Sequence, residues 1–247
     1  MSKILIYPVG SAPSCRYAAQ RLSQHGFQLV DHPTPEVTHL LLDIPSFSSD
    51  GQLRGGGDPA RILEMLPRYI TVIGGGLDHP AVENHRCMDL LKDDTYLAAN
   101  AAITAECALQ VAAPMMDVVF FGCPVLIIGW GRIGKCLAQL LKAIGANVTV
   151  AARKPSDRAI LQALGYQTAD PCNLLGSFKL IFNTAPAPVL NQQQLSRFPN
   201  CVKIDLASRK GLEGDDIVWA RGLPGIHAPQ STGRLIADTV ERLIKEA

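Results

Sequence analysis

No stretch of this 247-residue chain is apolar for long enough to cross a bilayer. The most hydrophobic run, 118–130, contains Gly122, Cys123 and Pro124. It falls short of the ~20 residues that a spanning helix needs, and reads as a turn followed by a buried strand. An excess of one charge is lacking as well. The 23 Lys and Arg face 22 Asp and Glu, with no basic run among them. That excludes a nucleic-acid surface built on charge. The seven cysteines are odd in number and include no Cys-x-x-Cys pair, so neither a disulfide framework nor a structural zinc site has support. Scattered, small, buried thiols in a reducing cytoplasm are expected instead. The opening segment Met1–Pro8 is too short in apolar length for a signal peptide and carries no cleavage-like site. The sequence contains no internal repeat and no low-complexity tract.

Apolar residues make up 47% of the chain and are spread along its whole length, which calls for packed cores rather than disorder. The pattern divides into two lobes. In the first, Lys3–Val9 reads as a strand, Ser14–His25 as an amphipathic helix stopped by Gly26, and His39–Ile44 as a short strand. Asp58 caps a helix that has Pro59 at its first position. Tyr69–Ile73 is a further strand, ended by Gly74-Gly75-Gly76, and the polar, glycine-rich segment 45–57 is a loop. Thr104–Met116 reads as a helix between the lobes.

Beyond that helix the alternation becomes regular. Strands over 125–128, 147–151, 179–183, 201–206 and 217–220 are interleaved with helices over 133–144, 156–164 and 191–198, and a final helix follows. This predicts a doubly wound parallel sheet, a Rossmann domain, over 98–247. A second, smaller, flavodoxin-like α/β domain is expected over 1–97, with the last helix packing back toward it.

The strand 125–128 runs into Gly129-Trp130-Gly131-Arg132-Ile133-Gly134 and then a helix. In a Gly-x-Gly-x-x-Gly turn the first glycine permits the tight bend. The second lets the backbone approach a pyrophosphate, and the third lets helix and strand pack closely. The helix N-terminus offers free N–H groups and the positive end of its dipole. The motif alone is weak, but strand, helix and second strand all stand where a dinucleotide site needs them. An NAD site also has an acid at the end of the second strand, for the ribose 2′-OH. That acid is missing here: the strand ends in Arg153-Lys154, with Ser156 after it. Two cations suit a 2′-phosphate, so NADP is the expected cofactor and NAD the alternative. As a plain surface feature they would be a solvated pair.

Ligands of open α/β sheets lie at the carboxyl ends of the strands. Those ends carry Asn183-Thr184-Ala185-Pro186, then Asp205-Leu206-Ala207-Ser208-Arg209-Lys210, then Gly222–Pro229 with His227. Asn183, Thr184, Ala185, Leu206 and Ala207 are candidates to line the nicotinamide, although such residues also form ordinary turns. Asp205 sits inside an apolar strand and is expected to pair with backbone groups. Ser208 and Arg209 are candidate catalytic residues; Arg209 and Lys210 either receive a carboxylate of the substrate or stand as solvated charges. His227 either carries a proton or is incidental. Thr104 is expected as a helix N-cap with Glu106 in the first turn, and both are also candidate catalytic residues.

These stretches resemble the A subunit of dipicolinate synthase, a family of spore-forming bacteria related to the hydroxyacid dehydrogenases. The likeness is carried by Asn100–Glu106, the Gly129–Gly134 turn with Gly145–Arg153, Asn183–Pro186, Asp205–Arg209 and Gly222–Pro229, and covers the chain from about Leu91 onward. It implies a sporulation enzyme that oxidises a dihydrodipicolinate-type ring to pyridine-2,6-dicarboxylate with NADP. It also implies a small dicarboxylate substrate and, as partner, a flavoprotein-like B subunit. Assembly as a homo-oligomer is expected. The chain departs from the family pattern in its shorter first lobe, which has Pro8–Pro13 in place of a glycine-rich turn. It departs again in Arg209-Lys210-Gly211-Leu212, where Arg-Pro-Gly-Gly is expected, and in Gln230-Ser231-Thr232-Gly233, where Lys-Thr-Ala-Gly is expected. Two other readings fit the same residues: a regulatory protein that binds NADP without turnover, and another dehydrogenase of the hydroxyacid type.

Overall fold

Residues 4–246 are described by the computed structural model of the chain. In chain order the elements are β1 (Leu5–Pro8), α1 (Pro13–Gln24), β2 (Gln28–Leu29), β3 (His39–Leu41), α2 (Pro59–Glu64), β4 (Thr71–Gly74), β5 (Arg86–Asp89) and α3 (Asp94–Ala112). Then follow β6 (Pro124–Ile128), α4 (Arg132–Ala143), β7 (Asn147–Ala151), α5 (Pro155–Ala163), β8 (Gln167–Ala169) and β9 (Leu180–Asn183). The chain ends with α6 (Gln192–Leu195), β10 (Val202–Asp205), β11 (Ile217–Trp219), α7 (Leu223–His227) and α8 (Pro229–Glu246). Two compact units result. One is Ala101–Leu223; the other joins the residues up to Asn100 with those from Pro224 onward. The sequence placed the boundary at 97/98 and assigned the last helix to the second domain, while expecting it to pack back toward the first, where α8 is found.

The first unit holds a five-stranded, wholly parallel sheet in the order β2-β1-β3-β4-β5. Its central strands β3 and β4 are short apolar runs, buried as parallel strands covered on both faces must be. This strand order is the flavodoxin-like one. Helix α1 begins with Pro13 at its first position, where the missing N–H costs nothing. It lays Cys15, Ala18 and Leu22 on the core that also takes Ile6, Leu41, Ile73 and Tyr96. Helix α8 brings Ile236, Ala237 and Val240 into the same core.

The second unit holds a six-stranded parallel sheet in the order β11-β10-β9-β6-β7-β8. Counting its strands from β6, this is the dinucleotide-binding order, and the chain reverses direction across the sheet between β6 and β9. Strands β6 and β9 are buried almost throughout. The core below them is formed by Leu126, Ile128, Ile181, Phe178, Phe198, Leu195 and Leu212.

The structure revises several sequence expectations. The helix expected from Thr104 starts ten residues earlier, at Asp94. The Asp93 carboxylate accepts the Tyr96 N–H at 2.6 Å and so caps it, which leaves Thr104 in mid-helix rather than at a cap. Strands β2, β5 and β8 had no apolar signature, because each lies at a sheet edge and presents mostly exposed or half-buried residues. Gly222–Pro229 is not an open strand end: residues 223–227 form α7, with Pro224 in its first turn. Of the first predicted strand, Lys3 lies outside the described residues. All seven cysteines are free, but Cys87 and Cys172 are exposed rather than buried. Among the described residues no helix is long and apolar enough to cross a membrane.

Helix α8 crosses α1 so closely that only glycine fits at position 233. A Cβ there would stand 2.4 Å from the Tyr17 Cβ and 2.7 Å from the Ser14 carbonyl oxygen. An ion pair and a hydrogen bond flank the contact, Arg21 with Asp238 at 2.8 Å and His25 with Glu241 at 2.6 Å. Alanine favours a free helix by about 1 kcal/mol over glycine. Here we expect Gly233→Ala to have the opposite sign and to destabilise the protein by roughly 1–3 kcal/mol, because backbone must move to admit the methyl. Chemical denaturation of both proteins measures it, and an unchanged or raised midpoint would contradict this packing.

Candidate dinucleotide site

Strand β6 ends where the sheet reverses direction. The Gly129 N–H donates to the Ala151 carbonyl at 2.9 Å, and the Thr184 N–H donates to the Ile128 carbonyl at 2.8 Å. The Thr184 hydroxyl donates to that same carbonyl at 3.0 Å. The three glycines of the turn that follows are required for three different reasons. Gly129 has φ +106°, a conformation that L side chains rarely adopt, and its Cβ would lie 2.5 Å from the Thr184 hydroxyl. A Cβ on Gly134 would lie 2.3 Å from the Gly129 carbonyl oxygen, so strand and helix touch there. Gly131 has neither constraint. Its φ is −81°, open to any residue, and a Cβ would meet nothing within 4 Å. It is the N-cap of α4 and supplies no side-chain cap. The room left at that helix N-terminus, with the dipole pointing into it, fits an anion. Arg132 beside it is exposed and Ile133 half-buried.

At the end of β7 the backbone is held by a residue that the sequence pattern did not single out. Arg158 Nη1 donates to the Ala152 carbonyl at 2.7 Å and to the Arg153 carbonyl at 3.0 Å, and pairs with Asp170 at 3.2 Å. This clamp leaves Arg153 and Lys154 exposed. Among the described residues neither takes part in an ion pair. Lys154 is the N-cap position of α5, with Ser156 in the first turn and Asp157 after it. No acid stands at the end of β7.

The ends of β9 and β10 are joined through one carboxylate. Asp205 has no exposed surface. One of its oxygens accepts the Asn183 side-chain amide at 2.9 Å and the Ala207 N–H at 3.0 Å. The other accepts the N–H groups of Gly211 and Leu212 at 2.7 and 3.0 Å. The expectation of backbone pairing for Asp205 therefore holds. Asn183 is fully buried too. Its amide also donates to the Ala185 carbonyl, and its carbonyl accepts the Ala185 N–H, both at 3.1 Å. The Asn183 side chain thus shapes the turn, and what faces outward there is half-buried Thr184 and Ala185. Leu206 and Ala207 are buried, while Ser208, Arg209 and Lys210 are exposed.

The remaining candidates are scattered. Thr104 is buried and Glu106 exposed. Two residues apart, they stand on different faces of α3. His227 is exposed on α7, in the unit that begins again at Pro224. Trp219 and Arg221 were likewise not expected at the site; their signal in the sequence is an aromatic residue among cations at a strand end.

Comparison with known proteins agrees with this geometry. The NAD binding domain of the D-isomer specific 2-hydroxyacid dehydrogenases matches residues 99–202, which makes this a nicotinamide-dinucleotide domain of an oxidoreductase fold. The solved structure of the A subunit of dipicolinate synthase from Bacillus halodurans superposes with a TM-score of 0.82 at 22% identity, covering 98% of this chain and 97% of that one. For the solved structure of its Bacillus subtilis counterpart the values are 0.81 and 23%, with 100% and 97% covered. In sequence, the chain is 30% identical to the dipicolinate synthase A subunit of Bacillus subtilis (strain 168) over 258 residues, which cover 90% of this chain and 86% of that protein. The likeness therefore reaches well before Leu91, into the first unit. With that identity over most of both proteins, the chain belongs to the family of dipicolinate synthase A subunits.

Proposed function

We propose that the chain is an NADP-dependent oxidoreductase that converts a dihydrodipicolinate-type ring to pyridine-2,6-dicarboxylate. The observation that carries the reading is Gly131, a glycine of ordinary backbone conformation with open space where a side chain would stand. Packing within the protein gives no reason for that glycine. A diphosphate on the α4 N-terminus does. The relative from Bacillus subtilis supports the substrate class.

In this reading the N–H groups of residues 131–134 hold the diphosphate. Arg153 and Lys154, with Ser156, hold the 2′-phosphate, a group that rewards charge-assisted bonds. Thr184, Ala185, Leu206 and Ala207, small or apolar residues at the ends of β9 and β10, line the nicotinamide. When bound, the cofactor supplies a hydride acceptor, so the substrate ring loses one hydride and one proton and becomes aromatic. Ser208 and Arg209 receive the substrate, Arg209 through its planar fork on a carboxylate. Glu106 and His227 are the titratable groups offered for the departing proton, and Thr104 is the hydroxyl offered on the inner face of α3. Self-assembly of the chain and a flavoprotein-like second subunit belong to the same proposal.

Three outcomes follow from it. NADPH should bind more tightly than NADH, and Arg153→Ala should remove most of the difference. Losing one charge-assisted contact costs ~1.5–3 kcal/mol, about ten- to a hundredfold in affinity. Calorimetric titration of both cofactors decides this, and equal wild-type affinities would end the NADP assignment. Gly131→Val should abolish cofactor binding while the far-ultraviolet circular dichroism and melting temperature stay as in wild type, because the valine enters only free space. Unchanged NADPH affinity would mean that the diphosphate lies elsewhere. Finally, dihydrodipicolinate formed in place from aspartate semialdehyde and pyruvate should reduce NADP in the presence of the chain, alone or with the second subunit. Failure under both conditions would remove the reaction while leaving the cofactor site.

A further inference from the structure

Two cations share one indole at the carboxyl ends of β10 and β11. Lys210 Nζ lies 5.3 Å from the centroid of the Trp219 ring, and Arg221 Cζ lies 5.0 Å from it. The ring itself is fixed, since its Nε1–H donates to the Ala207 carbonyl at 3.0 Å. Ala207 belongs to the turn that Asp205 closes. The indole thus pins the turn after β10 to the end of β11, and in doing so it gathers two like charges. Attraction to an exposed ring is weak and leaves both charges in place.

No carboxylate answers them. Among the described residues Arg209, Lys210 and Arg221 take part in no ion pair. The acids of the same stretch are mostly committed elsewhere. Asp205 serves Asn183 and the backbone, Asp216 pairs with Lys203 at 2.5 Å, and Asp215 accepts from Gln192 at 3.3 Å. Glu213, exposed on that stretch, pairs with none of the three cations. In a chain whose cations and acids are nearly equal in number, this is a local concentration of unanswered positive charge. It lies at strand ends, where open α/β sheets bind their ligands.

We propose that Lys210 and Arg221, held on Trp219, bind a carboxylate of a small planar dicarboxylate, with Arg209 alongside for the other. The inference rests on the proposed reaction and deepens it. It assigns the substrate's second anionic group to residues that the glycine turn and the β7 end leave unused. Arginine brings two parallel donors and lysine a point charge, and Trp219 is the positioning residue against which both cations rest. The site should therefore discriminate a pyridine dicarboxylate from a monocarboxylate.

The chain has two tryptophans, 130 and 219, so Trp130→Phe leaves Trp219 as the sole indole reporter. All comparisons are made within that background. Pyridine-2,6-dicarboxylate is titrated while emission is excited at the red edge of indole absorption, where the pyridine is transparent. Calorimetry reads the same affinity should the emission stay silent. We expect saturable binding, weakened about tenfold by Arg221→Ala and by Lys210→Ala. Both residues are exposed, so neither change threatens the fold. Pyridine-2-carboxylate should bind at least about tenfold more weakly than the dicarboxylate. NADPH affinity should not move in either variant. No binding, equal binding by the variants, or equal displacement by sulfate would reduce the cluster to surface charge and overturn the inference. The two proposals fail separately. Turnover with an unchanged KM in the double variant sinks this site and leaves the reaction. Dicarboxylate binding that depends on Lys210 and Arg221, without turnover, sinks the reaction and leaves this site.

Discussion

A carboxylate placed at the carboxyl end of a parallel sheet with no exposed surface must have every lone pair answered, or it costs several kcal/mol. Asp205 meets that condition with four donors, one from the end of β9 and three from the loop after β10. Everything on the β9 and β10 side of the second unit follows from it. Gly211 must come so close that a Cβ would stand 2.4 Å from the Asn183 amide nitrogen. Its carbonyl then accepts the N–H groups of Val189 and Leu190, and Glu213 donates back to Leu190. The loop after β9 is thus stitched to the loop after β10, and Thr184 and Ala185 are carried on a floor that does not depend on any ligand. Such pre-organisation is what a site needs in order not to spend binding energy on ordering itself.

The first unit uses the same device twice. Asp43, after β3, accepts the Ser11 and Ala12 N–H groups at 3.0 and 3.1 Å. Asp89, at the end of β5, accepts those of Gly76, Leu77 and Leu91, each at 2.9 Å. The consequence differs between the units. In the first, the turn between β1 and α1 is filled by the protein's own carboxylate, against which even Gly10 leaves no space for a Cβ. In the second, the corresponding turn between β6 and α4 has no side-chain cap and an open position at Gly131. Two sheets of similar construction therefore differ in where their negative charge comes from: one holds it within the fold, the other is shaped to receive it.

This difference also explains what could be read from the sequence. The glycine turn, its flanking strand and helix, and the missing acid after β7 are local patterns, and short-range sterics make such patterns visible. Asp58 before Pro59 was legible for the same reason. The Asp205 network was legible only in part. Its placement in an apolar strand suggested backbone partners, but Asn183 lies 22 residues away and looked like a ligand contact. The start of α3 was misplaced because Asp93 and Thr104 are both good capping residues. Tertiary burial of Tyr96 in the first unit's core selects the earlier one. Helix α7 was hidden because Gly222, Pro224 and Gly225 read as a turn, and the edge strands β2, β5 and β8 because exposed positions carry no apolar alternation.

The distribution of cations completes the argument. Arg158 and Lys203 are internal tools, one clamping the end of β7 and the other paired with Asp216 while only 4% exposed. Neither is free to meet a ligand. Among the described cations at the carboxyl ends of these strands that take part in no ion pair, Arg153 and Lys154 follow β7 on one side of the β6–β9 reversal, and Arg209, Lys210 and Arg221 follow β10 and β11 on the other. In the proposed reading a 2′-phosphate would lie on one flank of the glycine turn and a dianionic substrate on the other. On that reading the β7 group would select the cofactor without touching the substrate, and the β10–β11 group would select the substrate without touching the cofactor.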